Sequence, residues 1–176
     1  MDGDWRRWQF GVILYGKVKL AAKVDSMINK QRMEPLVDEP FIVFIVGFRI
    51  NNYWKLHKWL PVVKAFKRML KELDRHPDVG CMGYEYWGGR VRVCIQYWKT
   101  YPQLLDYARD KGAEHFPAWF EFNSKVSRSG DVGLWHEVYF AKPGTFKAVY
   151  KNMPAFGLGK ATQLTPTKAT AINVDS

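Results

Sequence analysis

Residues 41–50 read FIVFIVGFRI, an almost unbroken run of β-branched and aromatic side chains. A strand that is covered on both faces carries such a pattern, so we predict that this segment is the central strand of a sheet. From Trp59 to Leu73, apolar residues recur at intervals of three and four while charged residues, mostly lysine, fill the opposite side. That spacing predicts an amphipathic helix after the central strand.

Two alternating runs follow at residues 79–98, VGCMGYEYWGGRVRVCIQYW. Gly88 and Gly89 between them can supply the positive φ values of a two-residue hairpin turn, which would fix the register of the two strands. In that register Glu85 lies opposite Arg92, and a pairing of opposite charges supports the prediction. One face of the hairpin would then be apolar and pack on helices, whereas the other would carry Glu85, Arg92, Cys94, Gln96 and Trp98.

Three further elements complete the pattern: a short helix at 101–109, a longer helix at 114–129 and a strand at 132–141. The order strand, helix, strand, strand, helix, strand is that of a ferredoxin-like split βαβ unit, an α+β fold with an antiparallel sheet. Both helices of such a unit cover one face of the sheet. Because aromatic residues are predicted on the other face, we expect a second copy of the chain to cover it and form a homodimer.

The domain organisation follows from these elements. We predict an N-terminal helical arm at residues 1–40, the ferredoxin-like domain at 41–144, and an extended C-terminal arm with a mobile tail at 145–176. The C-terminal arm is expected to lack helix and strand because three of its residues disfavour both: Pro154, Gly157 and Gly159.

Composition and charge limit the partners. The 176 residues carry a net charge of +10, and residues 1–75 hold 15 Lys and Arg against 8 Asp and Glu. The basic residues are spread along the chain, so we expect colloidal stability rather than nucleic-acid binding. The segment from Trp5 to Val24 mixes aromatic and basic residues and could touch a membrane surface peripherally. Two unpaired cysteines and no long apolar run predict a soluble, cytoplasmic protein.

Chemistry is predicted on the sheet face that the helices do not cover. We predict on it aromatic and charged side chains from the hairpin and from the first and last strands: Arg49, Glu85, Arg92, Gln96, Trp98, Trp135, Glu137 and Tyr139. Charges on an inward face indicate either a ligand site or a structural ion-pair network, and both interpretations remain open. In the ligand site Glu137 would be a general base, and Arg49 or Arg92 would stabilise an oxyanion or peroxide.

Two histidines have alternative roles. His136 shares one side of the last predicted strand with apolar residues such as Leu134 and Val138, which favours a hydrogen-bonded core histidine over an acid or base. His115 opens the predicted long helix and is either a solvent-facing residue or an axial haem ligand. The sequence has no GxGxxG, GxxxxGK[ST], HExxH or GxSxG motif, which argues against the common nucleotide-binding, zinc-protease and serine-hydrolase sites.

Several segments together resemble a known family. IVFIVGFRIN, HFPAWFEFN, SGDVGLWHEVY and YKNMPAFGLGKAT are similar to the monooxygenase family that includes the fungal fumagillin-pathway polyketide monooxygenase and is related to antibiotic-biosynthesis monooxygenases. The resemblance covers residues 41–162 and implies a dimeric α/β barrel. It also implies oxygen insertion into an apolar polyketide-like or polyene substrate without flavin or nicotinamide. The matching positions that carry candidate functional side chains are Gln96, Trp98, His115, Trp119, Trp135, His136, Glu137 and Tyr139.

Three functional hypotheses follow. The first is a monooxygenase with an aromatic pocket, no obligatory cofactor, and Glu137, His136 and Arg92 as catalytic residues. The second is a haem-binding member of the same superfamily, with His115 as the first candidate axial ligand and His136 as the second. The third is a dimer that binds a small molecule without catalysis.

Overall fold

The computed structural model describes residues 27–112, 116 and 127–167. The segment from Trp5 to Val24 and twelve of the sixteen residues of the helix predicted at 114–129 lie outside these residues, as does the end of the predicted tail at 168–176. The elements in chain order are β1 (Met33–Leu36), β2 (Phe41–Ile50), α1 (Leu56–Arg75), β3 (Cys81–Trp87), β4 (Val91–Trp98), α2 (Tyr101–Arg109), β5 (Val132–Ala141), α3 (Leu158–Ala161) and β6 (Gln163–Pro166).

Four strands form one antiparallel sheet in the order β3-β4-β2-β5, with β2 in the interior as predicted. Together with α1 between β2 and β3, this is the ferredoxin-like α+β topology, which confirms the predicted fold class. The bounds of β2, α2 and β5 agree with those predicted from the sequence. Strands β1 and β6 pair with each other as a second, two-stranded sheet. Among the described residues, no helix combines the length and the apolar character needed to cross a membrane.

The core lies between α1 and one face of the sheet. Val62, Phe66 and Leu70 of α1 are buried against Phe48 and Ile50 of β2, whose side chains are fully inaccessible. Since successive side chains of a strand point to opposite faces, these contacts assign the even-numbered residues of β2 to the helix side. A second cluster joins α2 to the same side through Trp98 and Leu104.

The hairpin register differs from the prediction. Trp87 pairs with Val93 and Glu85 pairs with Ile95, so Glu85 does not lie opposite Arg92. Of the two turn glycines, Gly89 has a positive φ, of 142°, but Gly88 does not, whereas the predicted turn requires positive φ at both. The connection is therefore longer than two residues, and β4 is shifted by an odd number of positions. An odd shift turns every side chain of β4 to the other face relative to β3.

The C-terminal arm is also more structured than predicted. Residues 158–161 form the single helical turn α3, and residues 163–166 form β6, although Pro154, Gly157 and Gly159 were expected to prevent both. Pairing with β1 supplies the missing backbone hydrogen bonds, and Gly157 adopts φ 55°, which an L-residue rarely takes. We call residues 146–167 the C-terminal clasp, because they bind the core sheet on one side and β1 on the other.

Candidate active site

The odd-numbered residues of β2 and their partners form the sheet face that points away from α1 and α2, here called the open face. On it, Ile45 lies opposite Glu137, Gly47 opposite Trp135, and Val43 opposite Tyr139. Trp135, Glu137 and Tyr139 thus form a continuous row along β5 next to apolar residues of β2. The structure brings together these three predicted site residues.

Glu137 and Tyr139 are directly bonded. The Tyr139 hydroxyl donates a hydrogen bond to Oε2 of Glu137 at 2.6 Å, and both side chains are exposed in the single chain. This hydrogen bond and the negative charge of Glu137 raise the pKa of the Tyr139 phenol, so Tyr139 stays protonated and remains the donor. The short distance is typical of a charge-assisted bond to an ionised carboxylate. The pair therefore presents an oriented carboxylate that can accept a proton.

Trp135 lies across the middle of the sheet. A Cβ atom at Gly47 would overlap the ring of Trp135, so the glycine leaves the space in which the indole packs on β2. The flat ring provides an apolar floor beside Glu137. An aromatic floor of this kind suits the face of a conjugated ligand.

Glu85 also lies on the open face, but its carboxylate binds the C-terminal clasp. The backbone N–H of Gly157 donates to Oε1 of Glu85 at 3.1 Å, and the next N–H, of Leu158, hydrogen-bonds to the Tyr97 hydroxyl. The N–H of Gly159 donates to the Tyr150 hydroxyl at 3.0 Å. Burial, above all, raises the pKa values of both phenols. Glu85 therefore holds the chain's own backbone, and this half of the open face is covered.

Three predicted site residues lie on the helix side, contrary to the prediction, because of the shift of β4. Gln96 is buried and its Oε1 accepts a hydrogen bond from Nε1 of Trp98 at 2.9 Å, and Trp98 itself is fully inaccessible and stacks near Tyr107. Nη1 of Arg92 donates to the Tyr86 hydroxyl at 3.1 Å. Within the described residues, the buried Nε of Arg92 has no hydrogen-bond partner. These side chains cannot belong to a site on the open face.

The remaining predicted residues are dispersed. Arg49 lies on the open face at the far end of β2 and hydrogen-bonds to Asn51 at 2.5 Å. His136 points to the helix side and is exposed, with its ring 6.0 Å from that of Phe44, so the prediction of a core histidine is wrong. His115 and Trp119 lie outside the described residues.

The described residues provide few ligands for a haem iron or another metal ion. No group of three or more His, Cys, Asp or Glu side chains gathers as metal ligands in the described part of the chain. His136 offers one exposed imidazole, without the hydrogen-bonded orientation that axial ligands usually have. The described residues therefore do not form a built haem site.

A large cavity opens where β2 begins and where β4 and β5 end. Its volume is about 1100 Å³, at or above the usual range for small-molecule pockets. Its lining comes from the β1–β2 connection, the ends of three strands and the clasp, and includes Leu36, Phe41, Met82, Tyr101, Phe140 and Ala141. None of the site residues predicted from the sequence lines it. Its contributors are far apart in the chain and share no motif, so no local sequence signal could have identified them.

A ferredoxin-like sheet hosts many unrelated functions, so the oriented carboxylate, the aromatic floor and the neighbouring cavity are what point to a small-molecule site. Residues 41–158 match the family described as monooxygenase af470-like. The chain belongs to this family.

One solved structure shows the same fold at low identity, and a second is similar to a smaller extent. An aldoxime dehydratase (OxdRE) in complex with butyraldoxime is 16% identical with a TM-score of 0.54, and the match covers 71% of this chain but only 38% of that one. SnoaB, a cofactor-independent oxygenase from Streptomyces nogalater, is 14% identical with a TM-score of 0.42, covering 60% of this chain and 96% of that one. The comparison with curated proteins gives no match.

Proposed function

We propose that this protein is a monooxygenase that acts on an apolar, polyketide-like or polyene small molecule at the open face, without flavin or nicotinamide. The hydrogen-bonded pair of Glu137 and Tyr139 carries the proposal. It presents a carboxylate next to the indole of Trp135, in a chain that belongs to a monooxygenase family.

In the proposed reaction, the Glu137 carboxylate removes a proton from an acidic CH2 group of the substrate. The resulting carbanion supplies the electrons that reduce O2. One oxygen atom becomes a carbonyl on the former CH2 carbon, and the other leaves as water with the two hydrogens of that carbon. The balanced change is R–CH2–R′ + O2 → R–CO–R′ + H2O, and it needs no external reductant. Tyr139 keeps the carboxylate in position, and Trp135 supports the planar carbanion.

A carbanion requires that water be excluded. Tyr139 is 52% exposed in the single chain, and its neighbours on β2 are apolar. We propose that a second copy covers this half of the open face, as the predicted homodimer requires. The reaction would then take place between the two subunits.

A direct test uses anthrone, whose acidic CH2 group lies between two aromatic rings, as a probe substrate. We expect O2 uptake and formation of anthraquinone, and a loss of roughly 10²- to 10⁴-fold in kcat for Glu137→Gln. Tyr139→Phe should retain part of the activity, because the carboxylate remains. Asp78→Asn changes an exposed carboxylate away from this face and serves as the control. A folded Glu137→Gln variant with unchanged turnover would refute the assignment.

Haem binding is the second candidate; the described residues form no built haem site, and the exposed imidazole of His136 beside Phe44 is the ligand that they offer. Haem would supply iron-based oxygen or dehydration chemistry, with His136 as the ligand that the described residues offer. Titration with haemin tests this directly. A Soret band that shifts on addition of the protein, and that His136→Ala abolishes, would support it; a spectrum equal to that of free haemin would eliminate it.

A further inference from the structure

The cavity at the strand ends lies next to the proposed reactive pair. Phe41 and Ala141 line it and are paired across β2 and β5. Ala141 and Tyr139 are two positions apart on the same face of β5, and this separation spans roughly 7 Å. A molecule that fills the cavity can therefore extend along β5 until its end reaches Tyr139 and Glu137.

The wall of the cavity is mainly apolar. Leu36 and Phe140 are 46% and 69% exposed, so the cavity presents large hydrophobic side chains to solvent. Exposed apolar side chains gathered around a concave space are characteristic of a binding site rather than of ordinary surface. Phe140, which lies on the helix side of β5, contacts Tyr101 of α2 edge to face at 5.1 Å between ring centroids, so the cavity has an aromatic wall on the side of the sheet opposite to Tyr139.

The cavity also has four charged residues among its lining. Asp38, Glu39, Lys99 and Lys142 are all exposed, and none of them forms an ion pair within the described residues. Because these charged groups are exposed, a polar end of a ligand beside them would stay in contact with water. The arrangement fits a long molecule with an apolar body and one polar end.

The C-terminal clasp is part of this wall. Leu36 belongs to β1, which is held by pairing with β6, and Thr162 directly precedes β6. Both lie outside the residues that match the family. The cavity is therefore a feature of the whole described chain and not of the sheet alone.

From these observations we infer that the cavity binds the elongated apolar body of the substrate, a polyene or alkyl chain, while its reactive end lies at Glu137 and Tyr139. The ligand class rests on the proposed function, whereas the binding site stands on the geometry of the cavity.

A conjugated tetraene fatty acid, cis-parinaric acid, is a suitable probe because its fluorescence rises in apolar surroundings. We expect saturable binding to the wild-type protein. Leu36→Asp should weaken it by roughly tenfold or more, since a charge would be placed in the apolar wall. Leu134→Asp is the matched control, because Leu134 is 42% exposed in a strand but does not line the cavity. Ala141→Phe, which fills the cavity, should weaken binding by a similar factor.

Binding and turnover separate the two proposals. Glu137→Gln should lose turnover but still bind the probe saturably, because the cavity that holds the apolar body is not lined by Glu137. Absence of wild-type binding, or equal losses in Leu36→Asp and Leu134→Asp when both melt like the wild type, would overturn the binding site. Intact binding with an undiminished turnover of Glu137→Gln would instead refute the proposed base and leave the cavity site in place.

Discussion

Replacing Gly47 with alanine should destabilise the protein at the centre of its sheet. Gly47 lies in the middle of β2, between Trp135 on β5 and Val93 on β4. An added Cβ would overlap both the indole ring of Trp135 and the backbone oxygen of Arg92. The two obstacles differ in kind, and this difference determines the size of the effect.

The indole can move outwards, because the open face above it is not filled by the helices. The oxygen of Arg92 cannot move freely, because Arg92 is paired with Phe48 in the β2–β4 ladder. Overpacking of a rigid interior costs about 1–3 kcal/mol. For a chain of this size, each kcal/mol lowers Tm by about 2–4 °C, so we expect Gly47→Ala to lower Tm by roughly 2–12 °C.

Thermal unfolding followed by far-ultraviolet circular dichroism measures this effect. Gly133→Ala is the control, because Gly133 lies on the same face and a Cβ there would meet Asn51 at an ordinary 3.7 Å. The double variant with Trp135→Ala separates the obstacles, since any cost that persists belongs to the Arg92 oxygen. Equal Tm values for Gly47→Ala and Gly133→Ala would refute the close packing on which this reasoning depends.

Three further predictions concern the clasp and the titrating groups. Gly157→Ala should lower stability by about 1–3 kcal/mol, because φ is 55° there and a Cβ would lie 3.1 Å from the Tyr97 hydroxyl; urea unfolding measures it. Burial raises the thiol pKa of Cys81 to about 11 and that of Cys94 to about 12. Because the thiols of the unfolded chain ionise near pH 9, their contribution to the free energy of unfolding is complete below pH 9 and is lost as pH rises through the raised values. Both thiols should resist iodoacetamide until the protein unfolds. A hydrogen bond from Lys55 lowers the pKa of Asp131 below its ordinary value of 3.8. The protein should therefore lose stability as pH falls through the lowered pKa, and Lys55→Met should lose less stability over the same pH range.

The four strands of the larger sheet and the helices α1 and α2 could be predicted from the sequence because their signals are local. The apolar run of β2, the alternation in β5 and the amphipathic pattern of α1 each reflect the environment of a single element. The segment from 158 to 166 gave no such signal. Its helical turn and strand depend on β1, which is more than a hundred residues away in the chain.

The hairpin shows why a site can be mispredicted in a correctly predicted fold. Gly88-Gly89 favoured a two-residue turn, but Gly88 does not take a positive φ. The resulting shift by an odd number of positions moved Arg92, Gln96 and Trp98 to the helix side. The alternation of side chains within β5 does not depend on how β5 pairs with its neighbours. The sequence was therefore sufficient to predict that Trp135, Glu137 and Tyr139 share one face.

The clasp determines where on the open face chemistry can take place. Its Phe156 packs edge to face on Trp87, and its Gly157 bonds to Glu85, so the half formed by β3 and β4 is covered by the chain itself. The half formed by β2 and β5 keeps Glu137 and Tyr139 exposed. Among the described residues, the β2–β5 half is the part of the open face that the clasp leaves uncovered, so a second copy that bound there would bury the surface that carries the proposed base. In such a dimer, exclusion of water from the carbanion and association of the subunits would depend on the same contact.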